Sequence, residues 1–198
     1  AAVGSGAALA SLATTGPTTL DGNVTTIGSQ TYNSAVTLGA TDTLATTNSA
    51  VDFVGTVDSA TGAEGLTVAA GTGAVTFGDK VGAGKSLASL AVTGPTTLNG
   101  DVTTSGTQTY SSAVTLVASA TLATTNKAVG FTSTVDGTAG TEALTVNAGT
   151  GVVTFGNDIG GTKSLASLKV TGPTTLNGNV NTGGSQTYNS AGTLSASP

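Results

Sequence analysis

The segment SLASLAVTGPTTLNG at Ser86–Gly100 returns as SLASLKVTGPTTLNG at Ser164–Gly178, and a looser form, ALASLATTGPTTLDG, occupies Ala8–Gly22. The spacing is 78 residues each time. Setting residues 1–78 over 79–156 needs no gap and leaves 53 of the 78 positions identical, and residues 157–198 begin a third copy. A fixed internal period constrains the fold strongly, because it implies stacked units that share one continuous core. One uninterrupted solenoid domain over 1–198 is therefore expected.

The residues available for that core are small. Thirty glycines, 8% charged residues and seven aromatics leave no bulky set for the centre of a round domain. Disorder is the rival reading for a chain rich in Gly, Thr and Ser, but disordered segments combine low hydrophobicity with high net charge. Here the mean hydropathy is positive, at +0.24, and there are four prolines.

Short alternating runs carry the β signature of two apolar residues on one face with a polar one between. Val114-Thr115-Leu116, Leu144-Thr145-Val146 and Val153-Thr154-Phe155 repeat Val36-Thr37-Leu38, Leu66-Thr67-Val68 and Val75-Thr76-Phe77. Such strands are too short and too closely spaced for a sandwich. The expected fold is all-β, a right-handed parallel β-solenoid of about 10 coils of about 20 residues, with four coils in each 78-residue repeat. The GPTTL segments would then lie about 19 Å apart along the rod. Helix is not expected, since 3.6-residue periodicity is missing and β-branched residues abound.

Corners are expected at Asn99-Gly100, Asn177-Gly178 and Asp21-Gly22, where each pair would supply positive φ. Pro17, Pro95 and Pro173 each follow a glycine and would fix a bend that needs no amide donor.

Chemistry is sparse. Catalysis needs a positioned acid, base, nucleophile or metal, and the chain has no His, Cys or Arg. Asp58 and Asp136 occupy one repeat position and Glu64 and Glu142 another, which invites a paired-carboxylate hydrolase; solvated corner residues are the simpler reading. Neither an EF-hand loop nor a GGxGxD calcium motif is present, and no metal or cofactor is expected. Gly84-Lys85-Ser86, within Gly78–Ser86, matches the last letters of a phosphate loop without its strand-to-helix setting. Threonine pairs such as Thr18-Thr19 and Thr46-Thr47 fall at differing phases, against a regular ice-binding face. Tyr32, Tyr110 and Tyr188 could form a row that stacks on sugar rings; a ring covering a corner of the coil is the alternative.

Five lysines against ten acidic residues give a net charge of −5 and no basic stripe, so nucleic acid is not an expected partner. No stretch approaches 18 consecutive apolar residues, and the N-terminal segment lacks a basic region, so neither a membrane span nor a signal peptide is expected within the chain. Neither end reads as a solenoid cap, as expected for a section of a longer fibre.

The segments SLASLAVTGPTTLNG, TQTYSSAVTL and EALTVNAGTGVVTFG resemble the β-strand repeats of very large exported bacterial surface proteins, of the filamentous-haemagglutinin-like and autotransporter-adhesin kind. The resemblance runs over essentially the whole chain. It implies an extracellular right-handed β-helical shaft with no catalytic residues; from the uncapped ends, further repeats of the same polypeptide or other copies of the chain are the expected partners. The alternative it leaves open is an adhesin segment whose flank binds carbohydrate or another surface.

Overall fold

The computed structural model describes residues 2–195. It is a β-solenoid of about 9 turns with roughly 21 residues per turn, and no helix occurs among the described residues. The strands lie on three faces, and every pairing is parallel. Face I begins with Leu12–Thr14 and continues through Gln30–Tyr32, Val51–Phe53, Val75–Phe77, Thr96–Leu98, Val114–Leu116 and Val135–Gly137. Face II begins with Thr18–Leu20 and ends with Gln186–Tyr188, bridged across its middle by Val81. Face III runs from Val24–Thr26 to Gly192–Leu194.

Most strands are three residues long, with outer residues buried and the middle one turned outward, as in Val36–Leu38 and Val153–Phe155. Two inward side chains per strand, taken around three faces, fill a narrow interior. The second copy shows the underlying step. Inward residues fall at Leu90, Thr96, Val102, Gln108, Val114 and Ala120, every sixth residue, before nine-residue steps appear at Ala120 to Val129 and Val135 to Leu144. Three residues for the strand and three for the corner make the short step, and the long step adds a loop.

This stepping changes the meaning of the 78-residue repeat. One repeat contains eleven strand positions, seven followed by a short step and four by a long one. Eleven strands over three faces make three and two-thirds coils, rather than the four expected from dividing the repeat into four similar pieces. Each repeat is thus turned by a third of a revolution from the last. The segment Thr18–Leu20 lies on face II, Thr96–Leu98 on face I and Thr174–Leu176 on face III. At about 4.8 Å per coil, the repeat advances about 18 Å.

The core is a set of stacked ladders. Tyr32, Phe53 and Phe77 stack along face I with ring centroids 5.2 Å apart. Tyr110, Phe131 and Phe155 repeat the ladder along face III at 5.2 and 5.1 Å. Parallel in-register pairing places like side chains one coil spacing apart, the distance at which aromatic faces meet.

The corners differ from expectation. None of Asp21, Gly22, Asn99, Gly100, Asn177 and Gly178 has positive φ; among the described residues the left-handed non-glycine ones are Asn48 (φ 55°) and Asn126 (φ 56°). Gly100 is glycine for lack of room, since a Cβ there would lie 3.0 Å from the Lys80 amide nitrogen on the neighbouring coil. Gly94 needs both allowances, with φ of 120° and the Gly73 carbonyl oxygen 2.4 Å from a built Cβ. The following proline has no amide hydrogen, and Pro95 serves the ladder as acceptor, taking the Val75 N–H at 2.8 Å.

Candidate functional site

The tyrosines do not form a row. Tyr32 lies on face I, Tyr110 on face III and Tyr188 on face II, a consequence of the third-of-a-turn advance. Tyr32 and Tyr110 are fully buried within the core, so neither ring can stack on a sugar. Tyr188, in the last described coil, is half-buried and packs against the same core.

A buried tyrosine needs a partner for its hydroxyl. Gln30 supplies it: the Tyr32 hydroxyl donates to Gln30 Oε1 at 3.0 Å, while Gln30 Nε2 donates to the carbonyl oxygens of Val24 (3.3 Å) and Ala45 (3.0 Å) and to Thr26 Oγ1 (3.3 Å). Gln108 repeats the arrangement toward Val102, Ala123 and Thr104, with the Tyr110 hydroxyl at 3.5 Å from its Oε1. The motif T-x-x-x-Q-x-Y is therefore an internal polar plug. Burial raises the pKa of all three phenols; for Tyr32 the Asp42 charge adds to it.

The recurring carboxylates are engaged by backbone. Asp58 Oδ1 accepts the N–H groups of Gly84 (2.8 Å) and Lys85 (3.2 Å) from the next coil, and Asp136 Oδ1 accepts those of Thr162 (2.9 Å) and Lys163 (3.2 Å). The phosphate-loop-like stretch at Gly78–Ser86 thus already directs two amides at a protein carboxylate.

Glu64 and Glu142 are buried rather than solvated. Glu64 takes hydrogen bonds from the Ser59 hydroxyl and from the amide (2.9 Å) and hydroxyl (2.6 Å) of Thr61. Glu142 takes them from the Thr138 hydroxyl (2.9 Å) and the amides of Ala139 (2.9 Å), Gly140 (2.9 Å) and Thr141 (3.1 Å). The Ser59 and Thr61 bonds bring Glu64 down to about 2. In Glu142 burial opposes ionisation, yet the backbone and Thr138 bonds outweigh it and again give about 2. Each carboxylate clamps its own loop. Among the described residues, no group of three metal-ligating side chains comes together.

Outside, the middle residues of face I read Ala13, Thr31, Asp52, Thr76, Thr97, Thr115 and Asp136, a single row in which threonines are interrupted by carboxylates and begin after an alanine. Thr18-Thr19 lies on face II and Thr46 ends a strand of face III, so these pairs share no face. No helix of the described chain is long and apolar enough to cross a membrane.

Sequence reasoning missed the glutamines. The signal was present, since Gln30, Gln108 and Gln186 recur two residues before each tyrosine. No family model matches the chain, and no curated protein or solved structure matches it either.

Proposed function

We propose that this chain is a segment of the shaft of an extracellular bacterial surface fibre, a spacer without catalysis whose partners are further repeats of the same kind. The reading rests on one observation, the eleven-strand advance of the repeat. Turning each unit by a third of a revolution makes bending stiffness the same in every direction over three units. It also spreads each surface feature over three faces, so that no face accumulates a continuous recognition strip. Resistance to bending in all directions is the property a spacer needs, and a continuous strip is the one an adhesive flank needs.

Fibre diffraction and electron microscopy of the parent protein test this. The expected result is uniform rods with meridional spacings of about 4.8 Å and about 18 Å, the rise per coil and per unit, and a full axial repeat of about 53 Å over three units. Antibody labelling of intact cells should place the rods outside. Saturable, sugar-competed binding of the 198-residue chain to a glycan array would overturn the spacer in favour of an adhesin.

A further inference from the structure

Among the described residues, every fully buried polar side chain except one makes a hydrogen bond, and the half-buried Asn177 leaves its Oδ1 unpartnered as well. The exception is Asp42, 1% exposed, both of whose carboxylate oxygens are buried and unpartnered. It opens the strand Asp42–Thr46 on face III, paired with Val24–Thr26 on one side and Leu66–Ala69 on the other. Its counterpart one repeat later is Ala120, also buried, in the strand Ala120–Ala123. Both strands sit in otherwise alike surroundings: Thr43 N–H bonds Asn23 Oδ1 at 2.8 Å, and Thr121 N–H bonds Asp101 Oδ1 at 2.9 Å. The site accepts a methyl group in one coil and a carboxyl in the other.

An ionised carboxylate without a hydrogen bond is costly in such a place, and the group relieves the cost by taking a proton. We propose that Asp42 is a proton-controlled weak point in the shaft: as the neutral acid it lets its coil close, and on ionisation it loosens that coil while the coil of Ala120 stays shut.

The charged surroundings favour the neutral form. Burial is the main influence raising Asp42, and the Asp21 carboxylate adds to it. Tyr32 is the titratable neighbour inside the same coil, and the paired strands Val24–Thr26 and Leu66–Ala69 carry no titratable side chain. The folded coil therefore holds the proton more tightly than the unfolded chain does. Stability from this group is greatest below the ordinary aspartate range and falls as pH rises through the elevated value.

Amide hydrogen exchange on the whole chain, from about pH 4 to about pH 8, reads the effect directly. Residues 42–46 report the switch, and residues 120–123 provide an internal reference exposed to the same change in intrinsic rate. The expected result is a protection ratio between the two that falls about tenfold for each unit by which Asp42 is elevated. In Asp42→Ala and Asp42→Asn the ratio should be flat with pH. A flat ratio in the natural sequence, a sloping one in Asp42→Asn, or a carbon-13 carboxyl titration placing Asp42 at or below the ordinary range would each overturn the proposal.

Discussion

The aromatic ladders allow a prediction in which the structure sets the order of three substitutions. Phe53 is 1% exposed and lies between two rings, those of Tyr32 and Phe77, each 5.2 Å away. Phe77 has a ring on one side alone, because the residue paired with it on the next coil is Leu98. Replacing phenylalanine by leucine keeps an apolar side chain but leaves part of the ring volume empty, which costs about 1 kcal/mol. Each lost ring pair adds about 0.5–1.5 kcal/mol. Phe53→Leu should then cost about 2–4 kcal/mol and Phe77→Leu about 1 kcal/mol less. Phe131 stands between Tyr110 and Phe155 at 5.2 and 5.1 Å, so Phe131→Leu should match Phe53→Leu although it lies on another face. Urea unfolding of the three variants and of the Phe53/Phe77 double variant gives these differences, with a coupling of about 0.5–1.5 kcal/mol expected between the two rings. Equal costs at Phe53 and Phe77 would refute the ladder argument. A Phe131 cost differing from that at Phe53 by more than about 1 kcal/mol would refute the idea that the rotated repeats have equivalent interiors.

Close approach between coils predicts that Gly151→Ala destabilises by more than about 4 kcal/mol, since the new Cβ would lie 2.2 Å from the Lys127 carbonyl oxygen; Gly130→Ala, with nothing within 4 Å, should change the urea midpoint by at most about 0.5 kcal/mol equivalent. Because Glu64 and Glu142 are held at about 2 against a usual 4.5, the stabilisation they provide is complete above that usual value and is lost as pH falls toward 2; Tm over that range should drop more steeply for the natural chain than for Glu64→Gln/Glu142→Gln, and superimposable curves would contradict the clamp. Tyr32→Phe leaves Gln30 Oε1 without its 3.0 Å donor and should cost about 1–3 kcal/mol in chemical denaturation, more than Tyr110→Phe, whose bond is 3.5 Å.

The solenoid was legible in the sequence because period-two runs such as Val-Thr-Leu show which residues face in. The six-residue step was not, and the reason is chemical. Thr96, Thr104 and Gln108 point inward, and polar residues at inward positions interrupt the apolar pattern that a reader follows. Without those positions the second copy divides into four similar pieces, and four whole coils follow. Glu142 misled in the same way, since a carboxylate in a Gly-rich loop reads as solvated until its four hydrogen bonds are seen. The burial of Tyr32 and Tyr110 was not legible because nothing in the period-two pattern shows that the glutamine two residues earlier turns inward to satisfy each hydroxyl.

A duplication that does not span a whole number of coils moves every residue to a different face, yet the ladders are the same in both copies. The reason lies in how neighbours are assigned. With three faces, each strand stacks on the strand three positions further along the chain, as Gln30–Tyr32 does on Val51–Phe53, and Gln108–Tyr110 on Val129–Phe131. That relation depends on the order of strands and not on the face they occupy. Any duplicated block with an integral number of strands keeps its internal contacts, and the junction is sound wherever the strand that begins one copy fits above the strands that end the last. Here Val81, the first strand position of the second copy, pairs with Val57, and Leu90–Thr93 after it pairs with Leu66–Ala69 through Leu90 on Leu66 and Val92 on Val68. Pairing like with like at that seam lets the block repeat, and the rotation follows from eleven not being divisible by three.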